Sequence, residues 1–260
     1  MNENQDDKRN AALTQLFDEV EARMAKVGIP QELRDSFVRD GFYPGYSAQP
    51  IRVLFVGRES LSTWGNYTER MYEMYLANQI GSATLDQYQF HALLFYVAYG
   101  FNHGFPDWEN IPPASELAQR MEDPKTGVSF GLINLSKFSN WNQTDWSADW
   151  NLIEKSVEVA RDADGSILTK EIGILDPHVI CSMNFAAYLE DIAEHSDLVP
   201  FPAELEAVSK NVKLYWMAFA GKTYPVLDMW HFSAPGKSWK NDYYEPLRKL
   251  WPFLKGQLDV

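Results

Sequence analysis

The stretch Ile51-Arg52-Val53-Leu54-Phe55-Val56-Gly57-Arg58-Glu59-Ser60 decides the fold of this chain. Its first seven residues are mostly apolar and lie between a proline and a glycine, a pattern typical of a short buried strand. The strand ends where three polar residues begin. Because ligands bind in open α/β sheets at the carboxyl ends of the strands, Glu59 is the first candidate for a functional group.

Two further apolar runs end in the same way. Residues 128–133 run into Asn134, and residues 224–230 run into His231. A carboxylate, an amide and an imidazole at three strand ends are candidates for one shared pocket. We therefore expect Glu59, Asn134 and His231 to converge, although each of them could instead cap the helix that follows its strand.

Strands that alternate with helical patterns indicate a parallel sheet with helices on both faces. The chain has 260 residues, which is enough for one large domain, and it contains no internal repeat and no low-complexity linker. We expect a single α/β domain over residues 1–260, with three α/β/α layers around a mainly parallel four-stranded sheet. Residues 1–10 are predicted to be disordered, residues 11–50 to form an N-terminal helical segment, and residues 51–255 to form the core.

The charge and the cysteine content restrict the class of protein. A formal net charge of −13 repels nucleic acid at long range, so a DNA-binding protein of this composition needs a local basic patch. The single Cys181 permits no internal disulfide and no cysteine-ligated cluster. The N-terminal residues contain no apolar signal core, and no stretch is apolar enough to span a membrane. These features predict a cytoplasmic protein without a membrane association.

The three candidate side chains suggest a chemistry by themselves. The carboxylate of Glu59 can hold a water molecule or stabilise a nearby positive charge. The amide of Asn134 can recognise an edge of hydrogen-bond donors and acceptors. The imidazole of His231 can donate a hydrogen bond to a leaving group that becomes negative.

Four segments, in this order along the chain, resemble the uracil-DNA glycosylase superfamily. Residues 53–60 are similar to its first motif, in which a strand is followed by Gly and then by Asp or Asn. Residues 131–134 are similar to its second strand, which ends in Asn, and residues 171–180 to its central helix, proline and strand. The sequence His-Phe-Ser-Ala-Pro at residues 231–235 resembles its final His-Pro-Ser-Pro motif. The resemblance covers roughly residues 50–255 and implies a fold of the same type.

The resemblance also implies roles for individual residues. Glu59 would activate water or stabilise a cationic sugar, Asn134 would contact the Watson–Crick edge of a base, and His231 would stabilise the departing anionic base. Gly57 and Arg58 would lie beside the base. An aromatic side chain that stacks on the flipped base is expected shortly after the first motif, and the candidates are Trp64, Tyr67 and Tyr72. Hydroxyl and lysine side chains are predicted to contact DNA phosphates, namely Ser60, Ser233, Lys237 and Ser238.

The chain departs from the family pattern at three positions. Glu59 is one methylene longer than the Asp or Asn of the family, Ser60 replaces a proline, and Phe232 replaces the proline after the histidine. The resemblance implies a monomeric DNA glycosylase that removes uracil or a related damaged base with no cofactor and no metal. The alternatives are a non-catalytic member that binds a nucleobase or nucleotide, and a protein that only binds other proteins.

Overall fold

The structure is a computed structural model that describes residues 4–141, 148–162, 165–184, 194–195, 199–219 and 221–258. It is a mixed α/β protein. The helices are α1 (Gln5–Lys26), α2 (Gln31–Asp35), α3 (Tyr67–Leu76), α4 (Gln89–His103), α5 (Ala114–Ala118), α6 (Trp150–Val159), α7 (Ile167–Leu175) and α8 (Glu245–Lys255), and a π-helical turn, Trp239–Tyr244, precedes α8. No helix in these ranges is long and apolar enough to cross a membrane.

Among the described residues, the main sheet contains seven strands in the order β2-β5-β3-β8-β11-β10-β9. These strands are β2 (Gly41–Phe42), β3 (Val53–Gly57), β5 (Gly131–Asn134), β8 (Val179–Met183), β9 (Glu194–His195), β10 (Val212–Phe219) and β11 (Lys222–Met229). Two small pairs lie outside it, β1 (Val38–Arg39) with β4 (Gly65–Asn66), and β6 (Arg161–Asp162) with β7 (Gly165–Ser166).

The predicted sheet of four strands is therefore too small. Its parallel centre does consist of four strands, β5, β3, β8 and β11, and strands β2, β10 and β9 extend it with antiparallel pairs. Strands β2 and β9 have two residues each, which is too short for an alternating pattern to show in the sequence. Strand β10 joins as the partner of β11 in a hairpin.

The carboxyl ends of the four parallel strands meet at one edge of the sheet. Gly57 of β3 lies opposite Asn134 of β5, and Met229 of β11 lies opposite Met183 of β8. The chain places β5 on one side of β3 and then crosses to place β8 on the other. This reversal makes the edge between the ends of β3 and β8 the topological switch point, which is where open α/β sheets have their ligand-binding crevice. We call this edge the strand-end crevice.

The N-terminal region is more ordered than predicted. Helix α1 begins at Gln5, so the prediction of disorder for residues 1–10 is wrong from that residue onward. The Asp6 carboxylate accepts hydrogen bonds of 2.9 Å from the backbone amides of Gly45 and Ser47, and this contact fixes the first turn of α1 on the domain. The helical segment predicted for residues 11–50 also contains the short strands β1 and β2.

An aromatic cluster anchors the loop after β11 on the sheet. The ring of Phe232 is fully buried and packs edge-on against Phe55 of β3, Phe90 of α4 and Tyr243. Burying an aromatic ring in this way stabilises a fold by a few kcal/mol, about 3 or more. Phe232 thus has a packing role.

Candidate functional site

Four polar side chains lie at or just after the ends of β3, β5 and β11. Arg58 and Glu59 come directly after β3, Asn134 is the last residue of β5, and His231 follows β11 by two residues. Burial lowers the pKa of His231, and the charge of Arg58 acts in the same direction. The side-chain Oδ1 of Asn134 covers Gly57, where an added Cβ would come within 2.6 Å of it. The predicted residues therefore lie along one edge of the sheet.

The carboxylate of Glu59 is partly buried and only half satisfied. Its Oε1 atom accepts hydrogen bonds from Asn140 Nδ2 at 2.9 Å and from the backbone amide of Asp149 at 3.2 Å. Its Oε2 atom is buried and has no hydrogen-bond partner in the described part of the chain. Burial raises the pKa of the Glu59 carboxyl, and the hydrogen bond from Asn140 acts in the opposite direction. Such a group is a better base than an exposed glutamate, and it has one oxygen left for a ligand or a water molecule.

The imidazole of His231 is held in one orientation by its own loop. Its Nδ1 atom accepts a hydrogen bond from the backbone amide of Ser233 at 3.2 Å and lies 2.7 Å from the Ser233 hydroxyl. Because Nδ1 is an acceptor, the proton of the neutral ring is on Nε2. The ring stacks on Phe90 at 5.5 Å. His231 therefore presents a neutral Nε2–H donor.

Contacts from two other elements fix the backbone around His231. The Tyr243 hydroxyl donates to the carbonyl of His231 at 2.8 Å, and Gln89 Nε2 donates to the carbonyl of Phe232 at 2.6 Å. The Trp239 indole in turn donates to Gln89 Oε1 at 2.9 Å. A loop held by so many directional contacts can place a donor with the precision that a reacting group requires.

Asn134 is part of a buried polar network that the sequence did not reveal. Its backbone amide and its Nδ2 atom both donate to Asp40 Oδ2, at 2.7 and 3.1 Å. Asp40 Oδ1 accepts from Lys137 Nζ at 2.6 Å, and Lys137 also donates to Glu171 Oε1 at 2.8 Å. All these side chains are buried. The network orients the Asn134 amide and engages part of its hydrogen-bonding capacity.

The three stacking candidates lie in different environments. Trp64 packs on the exposed ring of Trp141 with 4.1 Å between centroids, and Trp141 directly follows Asn140, the residue that binds Glu59. Tyr67 is buried, and burial together with the charge of Asp40 raises its pKa. Tyr72 is only partly buried, and burial together with the charge of Glu122 raises its pKa. Of the three, Trp64 is linked by contacts to the loop that binds Glu59.

The predicted phosphate-contacting residues mostly have other partners. Ser60 is buried, and its hydroxyl donates to the Thr63 carbonyl at 2.6 Å, so this residue stabilises a turn instead of facing a ligand. Ser233 orients His231, as described above. The hydroxyl of Ser238 caps the π-helical turn by accepting from the Asn241 amide. Lys237 lies 4.3 Å above the ring of Trp230 in a cation–π contact.

The protonation state of His231 provides a test of this geometry. Burial, together with the Arg58 charge, lowers the pKa of His231 to about 3. The unfolded chain takes up a proton on a histidine below about pH 6.5, while the folded chain does not. Stability from this group is therefore present at neutral pH and is lost progressively as the pH falls from about 6.5 towards about 3.

We expect side-chain nitrogen NMR of the folded protein to show His231 as a neutral ring with its proton on Nε2 in mildly acidic buffer. The signals of His231 are assigned by comparison with the His231→Asn variant. A His231 signal that titrates with a midpoint near the ordinary histidine value, or a proton on Nδ1, would contradict the geometry described above.

In the described ranges, no group of three or more histidine, cysteine, aspartate or glutamate side chains is placed to hold a metal ion. A scan of the chain against models of known protein families gives no match, and a search of curated proteins gives no match either.

Proposed function

We propose that the strand-end crevice binds a nucleobase and that the protein hydrolyses the N-glycosidic bond of uracil, or of a related damaged base, in DNA. A three-layer fold of the uracil-DNA glycosylase type is part of this proposal. The observation that carries it is the pairing of two groups at one sheet edge: a partly buried carboxylate, Glu59, with one oxygen that has no partner in the described residues, and a neutral histidine whose Nε2–H is available as a donor.

These two groups suit the two halves of the reaction. When the bond between the base and the sugar C1′ breaks, the base leaves with the electron pair and the sugar becomes oxocarbenium-like. The Nε2–H of His231 donates a hydrogen bond to a carbonyl oxygen of the base and stabilises its negative charge. The carboxylate of Glu59 stabilises the cationic sugar and accepts a proton from the water that adds to C1′.

A second candidate function is nucleobase or nucleotide binding without turnover. It is favoured by the hydrogen bonds that Asn134 donates to Asp40, because an amide engaged in this way has fewer groups left to recognise a base. Two measurements distinguish it from hydrolysis. The protein would bind uracil or deoxyuridine in calorimetry, and uracil-containing DNA would stay intact.

The Glu59→Gln variant tests the first candidate. Glutamine keeps the acceptor for Asn140 but cannot take up a proton, so we expect the rate of uracil release from a single-stranded uracil-containing oligonucleotide to fall about 100-fold or more. The wild-type rate should also fall as the pH decreases, because burial raises the pKa of Glu59 and protonation removes the base. The rate that remains in the variant should lack this dependence.

The matched control is Glu116→Gln, which removes the same charge from an exposed side chain paired with Arg120. It should release uracil at the wild-type rate. If the wild-type protein leaves the oligonucleotide intact over a wide range of salt while a control glycosylase cleaves it, hydrolysis is excluded and binding without turnover remains.

A further inference from the structure

Arg58 is a cation at the strand-end crevice whose guanidinium has no hydrogen-bond partner among the described residues. Its backbone carbonyl accepts a hydrogen bond of 2.8 Å from the Ser136 amide, so the main chain at Arg58 continues the pairing between β3 and the chain after β5. The side chain is partly buried. In the described part of the protein its guanidinium makes no hydrogen bond and no close ion pair; burial lowers its pKa, and the charge of the adjacent Glu59 acts against this from a longer distance.

This lack of a partner is unusual in so acidic a chain. The protein has 36 acidic and 23 basic residues, and other arginines pair with carboxylates even where they are more exposed. These pairs are Arg39 with Asp18 and Glu21, Arg52 with Asp176, Arg120 with Glu116, and Arg248 with Asp107 and Glu245. A partly buried cation costs free energy unless anions compensate it. The charge of Glu59 supplies part of this compensation without a close contact, and an anion from a ligand would supply a direct partner.

The neighbours of Arg58 favour a ligand that combines an anionic group with hydrogen-bond donors and acceptors. His231 presents its Nε2–H donor within the range of the Arg58 charge, and the Oε2 atom of Glu59 needs a donor. A guanidinium binds phosphate oxygens through two parallel N–H bonds, a geometry that a lysine cannot reproduce.

We propose that Arg58 binds a phosphate group of the ligand that enters the strand-end crevice. This site deepens the proposed function and rests on it for the location of the base. The phosphate is either the 5′-phosphate of a free nucleotide or a phosphodiester of a DNA strand next to the base. Arg58 is thereby a specificity residue that distinguishes nucleotides from nucleosides and free bases, instead of a contact to the base itself.

Calorimetry with three probes tests this assignment: inorganic phosphate, deoxyuridine, and deoxyuridine 5′-monophosphate. We expect wild-type protein to bind the monophosphate about 10- to 100-fold more tightly than deoxyuridine, as charge-assisted hydrogen bonds allow. Arg58→Gln should bind the monophosphate no more tightly than deoxyuridine and should keep its affinity for deoxyuridine. Arg58→Lys should keep part of the preference for the monophosphate. Arg120→Gln, which removes the same charge from an exposed site, should bind as the wild type does.

Two further measurements are needed. One distinguishes a phosphate of a DNA strand from that of a free nucleotide, and the other tests whether Arg58 instead stabilises the fold. A single-stranded oligonucleotide with a neutral methylphosphonate on the 5′ side of the deoxyuridine should bind more weakly to wild type but not to Arg58→Gln if a strand phosphate is the partner. If the free nucleotide is the partner, the methylphosphonate changes neither affinity. Because no hydrogen bond or close ion pair of the described residues is lost, Arg58→Gln should unfold at about the same denaturant concentration as wild type.

The outcomes distinguish this assignment from the proposed function. Binding of inorganic phosphate that depends on Arg58 supports the assignment even if deoxyuridine does not bind, in which case only base binding fails. If neither the phosphate nor the monophosphate affinity changes in Arg58→Gln, or if this variant is strongly destabilised, the phosphate site is wrong.

Discussion

Replacing Lys137 by methionine is expected to lower the free energy of unfolding at neutral pH by about 3–5 kcal/mol. The Lys137 ammonium lies 2.6 Å from Asp40 and 2.8 Å from Glu171, and all three side chains are almost completely buried. The second oxygen of Glu171 is buried without a partner in the described residues. Removing the cation would leave two buried carboxyl groups next to each other with no compensating charge.

The difference in the free energy of unfolding between wild type and Lys137→Met should become smaller as the pH is lowered. Burial raises the pKa of Glu171 well above its usual range, and Lys137 acts against this increase. Without Lys137 the folded protein would hold a proton on this carboxyl more tightly than the unfolded chain does, so acid would favour the folded state of the variant. Urea unfolding of wild type and variant at neutral and mildly acidic pH measures both effects.

The matched control is Lys222→Met. Lys222 also pairs with a carboxylate, Asp176, but its side chain is 59% exposed, and exposed pairs contribute no more than about 1 kcal/mol. Equal stabilities of the Lys137 and Lys222 variants would show that the buried network does not stabilise the fold.

The second large effect is expected at the strand-end crevice. If the protein releases uracil as proposed, replacing His231 by alanine should lower the rate of release by about 100- to 1,000-fold, because the base would depart without the Nε2–H donor. The fold should persist, since Phe232 is buried and anchors the same loop. Single-turnover release of uracil from a single-stranded oligonucleotide measures the rate, and urea unfolding confirms that the variant is folded.

His103→Ala is the control for the loss of an imidazole. His103 ends α4, whose first residue, Gln89, contacts the His231 loop, and a helix of this length separates its ends by about 20 Å. This variant should release uracil at the wild-type rate. Equal rates for His231→Ala and wild type would show that His231 is not part of the reaction.

The sequence revealed the strand ends because each consists of a continuous apolar run followed by a polar residue. Gly57, Asn134 and His231 lie at the sheet edge for this reason. The sheet edges themselves were not predictable, since strands of two residues carry no period. The sequence did not predict the buried packing of Phe232, because a departure from a motif does not show what the new side chain contacts.

The buried network was beyond sequence reasoning. Asp40 and Lys137 are 97 residues apart and Lys137 and Glu171 are 34 apart, and no local pattern reports such pairs. Lysine is also almost never fully buried, so the sequence alone would place Lys137 on the surface. The partner of Ser60 was missed for a related reason: a serine next to a motif looks available for a ligand, and only the fold shows that its hydroxyl is used within a turn.

The central claim is that the strand ends form one base-binding crevice, and a titration with uracil observed at the His231 side chain tests it most directly. Nitrogen NMR of the folded protein should show the Nε2 resonance of His231 shifting in a saturable way as uracil is added. The Glu59→Gln variant, in which an amide replaces the carboxylate that faces the crevice, should bind with altered affinity. A His231 resonance that does not move at any uracil concentration would contradict the account.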